Sequence, residues 1–353
     1  MKIGVLTYHI DNSPGATLQC YGTCRAMKEL GYEVYIIDLQ HRPANKRSQW
    51  VLNLLKPFYA VRDYRQERFR RNFYPKMTNH YDNFEELQAN PPQLDAYCIG
   101  SDQVWNPKIA GHSQMAYFLN FGDDKIKRFS YASSMGLKKW PIDDESKNLR
   151  INELLRSYIG IGVREQTLAD ELKRKFALDA TVVCDPALLH PDYYEIIGEV
   201  KPLNEVACYV LQKFPEQLET MHVVGDLLNA PLRMIMSFMP MRGYKYTYNL
   251  DLVSWMNYLV GSKFIITDSF HGTVISIIYH KPFVVLYKEN GKSSRITDLL
   301  KKVGLEDRIF FDMNDFKKNN NWKNDINWEE VDKKLSSYRE KSWNYLKSTI
   351  SKI

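Results

Sequence analysis

Short β-branched runs alternate with longer helical patterns along nearly the whole chain, and this alternation limits the fold more than any other feature. Strand patterns fall at Lys2–Leu6, Glu33–Asp38, Ala96–Ile99, Phe129–Ala132, Ile159–Val163 and Thr181–Val183. A second series covers Ala207–Leu211, Leu232–Met236, Phe264–Thr267, Phe283–Tyr287 and Arg308–Phe311. Helical patterns such as Ala16–Leu30, Glu165–Phe176, Gln217–Leu228, Leu252–Val260 and Arg295–Val303 lie between them. Strands separated by helices pair in parallel, because a parallel neighbour needs a crossover. The expected class is therefore α/β, with two doubly wound Rossmann-like lobes.

A chain of 353 residues suits two such domains. Pro186, Pro191 and Pro202 mark a boundary region. The expected division is an N-terminal lobe over 1–195, a C-terminal lobe over 196–327 and a helix over 328–353 that packs back on the body. In that last segment Val331, Leu335, Tyr338 and Trp343 recur at helical spacing. The Asn- and Lys-rich stretch before it, 317–324, reads as a loop.

Composition excludes several classes. Apolar residues at 44% and charged residues at 25% rule out disorder along the whole chain. A net charge of +6 favours anionic ligands, but it is too small and too spread to argue for nucleic acid. Five scattered cysteines form no paired metal-binding set and read as reduced thiols. The first residues read as a strand and no apolar run approaches the length of a membrane span, so a cytoplasmic protein is expected.

In doubly wound folds ligands bind at the carboxyl ends of strands, where the next helix presents its N-terminus. Asp268-Ser269-Phe270-His271-Gly272-Thr273 stands at such a place, between a buried strand pattern and an apolar helix. Asp268 or Ser269 can cap the helix, and Gly272 permits close approach. His271 is either a proton donor beside an anion site or a hydrogen-bonded structural residue. In the first lobe, Tyr8-His9-Ile10-Asp11-Asn12-Ser13-Pro14-Gly15 leads into a helix but has no Gly-x-Gly-x-x-Gly. His9 and Asn12 there can meet a substrate or satisfy the turn. Gly100-Ser101-Asp102-Gln103-Val104-Trp105 puts a carboxylate and an indole after a strand, as a base and a sugar platform or as a cap and a core residue. Arg164, before Glu165, can grip a carboxylate or phosphate, or form a surface pair. Asp185 reads as a turn former.

Taken in order, Tyr8-His9 through Asn12, Gly15-Ala16-Thr17-Leu18-Gln19, Ile99 to Pro107, Val163-Arg164-Glu165, Asp185-Pro186 and Thr267 to Gly272 resemble the polysaccharide pyruvyl transferase family. The resemblance spans about residues 3 to 290. It implies a glycosyltransferase-B-like pair of lobes, phosphoenolpyruvate as donor, and a polysaccharide or lipid-linked saccharide as acceptor. It implies no cofactor, and the chemistry requires no metal. His271 falls on the family's Arg-x-His histidine and Arg164 on its Arg-Glu arginine, which implies catalytic roles for both, with Asp102 as base. Arg164, Asp268, Ser269, Gly272, Thr273, Lys288 and Arg295 are the implied donor side. His9, Asn12, Gly15, Ser101 and Trp105 are the implied acceptor side. Two departures stand out: Ser269 replaces an expected arginine, and Ser13-Pro14 precedes Gly15. A nucleotide-sugar-dependent transferase and a non-catalytic glycan-binding relative share the same architecture.

Between Arg42 and Lys76, ten basic residues are set against Asp63 and Glu67 alone. Trp50, Leu54, Leu55, Phe58 and Phe69 are interleaved. Such a segment reads as a solvated helix or as peripheral contact with an anionic membrane.

Overall fold

The structure is a computed structural model that describes residues 1–10, 13–40, 46–211, 215–236, 242–286 and 295–353, with backbone alone at 46–59 and 215–216. Asn12 and Lys288 lie outside the described residues. The chain divides into two compact units. One takes the described residues of Met1–Leu189 and Tyr338–Ile353, the other those of His190–Asn290 and Arg295–Ser337. The contacts part at Leu189/His190, ahead of the 195/196 limit expected from the prolines. The final helix, Trp328–Ile350, contributes to both units rather than forming a segment of its own.

The first unit is built on seven strands: β1 (Lys2–Leu6), β2 (Glu33–Leu39), β3 (Lys76–Tyr81), β4 (Ala96–Ile99), β5 (Lys127–Ser133), β6 (Gly160–Val163) and β7 (Thr181–Val182). Every pairing is parallel, in the order β3-β2-β1-β4-β5-β6-β7. Helices cover both faces, so the central strands lose the two-residue alternation. All four residues of β4 are buried, as are the last four of β1. The order reverses between β1 and β4, which makes their carboxyl ends the switch point. A register shift between Ser130 and Ser133, with Ala132 at a φ of 54°, bends β5 beside that point.

The glycines of β6 have a packing cause. A methyl group at Gly162 would approach Tyr345 Cε1 to 2.6 Å, and one at Gly160 would approach Thr349 Oγ1 to 2.7 Å. The last helix lies directly on that strand. Tyr345 donates to Ser130 O at 2.9 Å, Tyr338 donates to Val183 O at 2.9 Å, and Ser342 Oγ accepts from Cys184 N at 2.9 Å.

The second unit repeats the plan with β8 (Val206–Tyr209), β9 (Leu232–Met234), β10 (Tyr244–Tyr246), β11 (Phe264–Thr267), β12 (Phe283–Leu286) and β13 (Ile309–Phe310). These are all parallel, in the order β10-β9-β8-β11-β12-β13. Its switch point lies between β8 and β11, where the His271 segment begins. The sequence patterns do not reveal β3 and β10. Both are edge strands, and their exposure (only Tyr81 of β3 is buried, and no residue of β10) leaves no apolar pattern to read.

Among the described residues, no helix is long and apolar enough to cross a membrane. All five cysteines are buried free thiols.

Candidate functional site

In the second unit β11 ends at Thr267, and the helix Phe270–Ile278 starts three residues later. Ser269 is its N-cap, with Oγ accepting from Gly272 N at 3.4 Å, while Ser269 N donates to Thr267 Oγ1 at 3.0 Å. Thr267 in turn donates to Tyr209 O at 2.7 Å, which ties the turn to β8. A serine here is therefore explained by the cap it makes. Gly272 faces inward: a methyl there would run into Thr267 Oγ1 and Tyr209 Cδ1. Its missing side chain serves helix–strand packing. Thr273 is fully buried, with its hydroxyl donating to Ser269 O at 3.0 Å, and Asp268 accepts from Leu211 N at 2.6 Å. Of the expected donor-side residues on this turn, four thus build it.

His271 is half-buried at this turn, as is Asp268, and stands next to the positive end of the helix dipole. Its ring meets Phe270 edge-on at 5.3 Å, and the Arg295 guanidinium lies 5.9 Å from the same phenyl centroid. Phe270 thereby gathers an imidazole and a cation at one helix N-terminus. Arg295 opens the helix Arg295–Val303, far from Ser269 in sequence, yet it brings positive charge to the turn where an arginine was expected.

In the first unit β4 leads into Gly100-Ser101-Asp102. Asp102 has a φ of 80°, a left-handed conformation that costs a non-glycine residue on the order of 1–3 kcal/mol. Ser134 N donates to Asp102 O at 2.9 Å, and Gln103 N donates to the Asp102 carboxylate at 2.8 Å. The outcome is a carboxylate held at the strand end with 19% of its side chain exposed.

Arg164, at the end of β6, is 2% exposed in its side chain. Its Nη1 donates to Asp185 Oδ2 at 2.7 Å and to Ser101 Oγ at 3.4 Å, and its Nη2 lies 3.7 Å from Asp102 Oδ1. Ser101 also donates to Asp185, at 3.0 Å. Burial opposes the charge on Arg164, but Asp185, Glu165 and Asp102 outweigh it and raise the guanidinium's pKa. Glu165, also buried, accepts from Ser134 Oγ. One cation among three carboxylates makes this strand end acidic, which suits a hydroxyl better than an anion. Arg164 is thus a buried ion-pair partner of Asp185, neither a surface partner of Glu165 nor an open clamp. Asp185 caps Ala187 N at 2.9 Å as a turn former should, and also neutralises Arg164.

Two acceptor-side expectations need revision. Trp105 is fully buried: its indole N–H donates to Tyr117 O at 2.8 Å, and its ring stacks on Phe118 at 5.4 Å, so it offers no face to a sugar. His9 is also fully buried, with Nδ1 3.2 Å from Thr7 O and Nε2 2.9 Å from Asp38 Oδ1. Both ring nitrogens are occupied, so it shapes the loop after β1. Gly15 is buried inside the helix Pro14–Glu29. Among the described residues, no group of three or more His, Cys, Asp or Glu could hold a metal ion.

The pairing of His9 with Asp38 continues to His80 Nδ1, 3.0 Å from Asp38 Oδ2. Sequence reading missed Asp38 and His80 because they lie on different strands, 42 residues apart. Burial pushes the Asp38 carboxyl up, but the hydrogen bonds from His9 and His80 prevail and hold it below its ordinary 3.8. A depressed carboxyl stabilises the fold above its unfolded pKa, and that stabilisation is lost as pH falls through the folded value. Asp38→Asn is expected to cost about 1–3 kcal/mol near neutral pH. The gap from the parent should close below 3.8 in urea unfolding midpoints taken across pH. A gap that does not change with pH would mean that the charge contributes nothing.

Two parallel, doubly wound units give the protein a glycosyltransferase-B-like, Rossmann-pair fold. The UDP-GlcNAc 2-epimerase from Neisseria meningitidis bound to UDP-GlcNAc is similar over 100% of both chains, at 9% identity and a TM-score of 0.51. The Methanocaldococcus jannaschii UDP-GlcNAc 2-epimerase in complex with UDP-GlcNAc and UDP is 11% identical. It covers 96% of this chain and 99% of its own, with a TM-score of 0.52. At these identities the likeness is one of fold. No curated protein matches the chain in sequence. The polysaccharide pyruvyl transferase family model matches residues 14–290, and the chain belongs to that family.

Proposed function

We propose that this protein transfers the pyruvyl group of phosphoenolpyruvate onto two hydroxyls of one sugar, in a polysaccharide or lipid-linked precursor, forming a pyruvate ketal. The observation that carries the reading is the turn before Phe270–Ile278. There a family member presents a half-buried His271 and the Arg295 cation against one phenyl ring, at the positive end of a helix.

Phosphoenolpyruvate carries a carboxylate and a phosphate, which the helix N-terminus and Arg295 are suited to hold. Lys288, close by in sequence, is a further candidate cation. His271 gives a proton to the methylene carbon, and the central carbon becomes electrophilic. One sugar hydroxyl adds to that carbon, the carbon–oxygen bond to phosphate breaks, and the second hydroxyl closes the ketal. The two hydroxyl protons balance the methyl group formed and the phosphate released. Asp102, strained and partly exposed, serves as base toward a sugar hydroxyl. Arg164 acts as a positioning residue that holds Asp102 through charge. The work is cytoplasmic in this reading, where phosphoenolpyruvate is available.

Thermal unfolding with candidate donors tests the reading. A donor at about a hundred times its Kd adds about 2.7 kcal/mol of stability and raises Tm by several degrees. Phosphoenolpyruvate should do so, and phosphate should then be released when a panel of lipid-linked saccharides is added. Stabilisation by a nucleotide sugar alone would replace this reading with a glycosyl transfer. Stabilisation by neither would favour a non-catalytic glycan binder.

A further inference from the structure

The helix Lys46–Phe73 has two opposite faces over its described C-terminal part. Gln66, Phe69 and Arg70 are buried on the inner face, where Phe69 packs edge-on to Tyr21 at 6.1 Å and stacks on Phe73 at 4.9 Å. Phe69 is thereby removed from the aromatic residues expected to meet a membrane, and the side chains of Trp50, Leu54, Leu55 and Phe58 lie outside those described. The outer face carries Val61, Tyr64, Arg65 and Arg68 at helical spacing, with Val61 59% and Tyr64 71% exposed. Arg62 is paired with Asp63 at 2.9 Å and Arg71 with Glu67 at 3.1 Å. Arg65 and Arg68 are both exposed on this face.

An exposed valine and tyrosine beside two exposed arginines match a surface that is anionic outside and apolar just beneath. We propose that this face rests on an anionic lipid bilayer. The inner face supplies a consequence. Arg70 Nη2 donates to Ile10 O at 2.9 Å, and Tyr74 OH donates to His9 O and Thr17 O, each at 3.4 Å. The same segment therefore meets the membrane and grips the loop at the carboxyl end of β1. Resting on the pyruvyl-transfer reading, this names the acceptor as a saccharide anchored in the bilayer rather than a free polymer.

Co-sedimentation with vesicles tests the surface without donor, acceptor or turnover, so its failure is separate from any failure of pyruvyl transfer. The full chain should bind phosphatidylglycerol/phosphatidylcholine vesicles at low salt, bind pure phosphatidylcholine weakly, and be released near 1 M salt, where screening acts within about 3 Å. Arg65→Gln with Arg68→Gln should lower partitioning by roughly thirtyfold, at about a fivefold loss per charge. Tyr64→Ser should lower it less. Lys301→Gln with Lys302→Gln removes the same charge from exposed sites on another helix and should change little. All of these positions are exposed, and an unchanged Tm shows that each variant is folded. Equal loss in the arginine and lysine pairs would reduce the binding to general charge attraction and overturn the proposal. Absence of any preference for anionic vesicles would also overturn it and leave an acidic protein as the partner to seek.

Discussion

His271→Ala is expected to slow phosphate release from phosphoenolpyruvate, with a competent saccharide acceptor, by roughly 10²- to 10⁴-fold. The expectation follows from the way the turn is built. Ser269, Thr267, Gly272 and Thr273 hold one another through hydrogen bonds and close packing that do not involve the imidazole. Removing His271 should therefore leave the helix start intact, and Tm should move little. Its loss should fall on kcat, because an acid that protonates the methylene carbon acts in the transition state. Donor affinity, which the proposed reading assigns to the helix end and Arg295, should hold within a few-fold. His271→Gln keeps the size and hydrogen-bonding capacity of the side chain but cannot deliver the proton, so it should be nearly as slow as alanine. Full activity in either variant would sink the acid assignment. A rise in KM with kcat unchanged would recast His271 as a binding residue.

The second large effect concerns stability. Arg164→Met should destabilise the first unit by about 3–5 kcal/mol, read from urea unfolding midpoints. The methionine roughly conserves volume, so the loss is electrostatic. It leaves Asp185, whose side chain is fully buried, and Glu165, which is 1% exposed, without the cation that offsets them. Adding Asp185→Asn to Arg164→Met should recover part of the loss, because one stranded charge is removed along with its partner. The pair also determines how Asp102 is held, with its carboxylate 3.7 Å from Arg164 Nη2. Any activity remaining in Arg164→Lys should fall as well, since an ammonium cannot reach Asp185, Ser101 and Asp102 with a planar fork. A loss below about 1 kcal/mol in Arg164→Met would show that solvent reaches the pair and that its charge is screened.

Much of the second unit's switch point is legible in the sequence. A buried run ending at Thr267, a cap residue, a histidine and a glycine specify a strand, a turn and a helix through local rules alone. The fate of Ser269 was also legible in part, since serine is a preferred N-cap. Arg295 was already an expected donor-side cation, but its approach to Phe270 on this turn was decided by the fold, because nothing local to Ser269 refers to a residue on the next helix. In the first unit, Trp105 and His9 have the chemistry of contact residues, and only their burial withdraws them. Residue type does not reveal whether an indole faces solvent or Phe118.

By itself the sequence determined the α/β class, the two parallel sheets, the family and the short list of strand ends worth examining. The class, the sheets and the strand ends follow from periodicity and local turn chemistry, which act over a few residues, and the family from the resemblance of its ordered motifs. Tertiary structure decided which of those residues meet. Arg164 finds Asp185 across 21 residues and Ser101 across 63, His9 finds Asp38 across 29, and Gly160 and Gly162 give way to a helix that begins at Trp328. The reason is the parallel sheet. Each crossover helix carries the chain out of its local neighbourhood and returns it beside a strand far away in sequence, so the chemistry collects at edges that no single stretch contains.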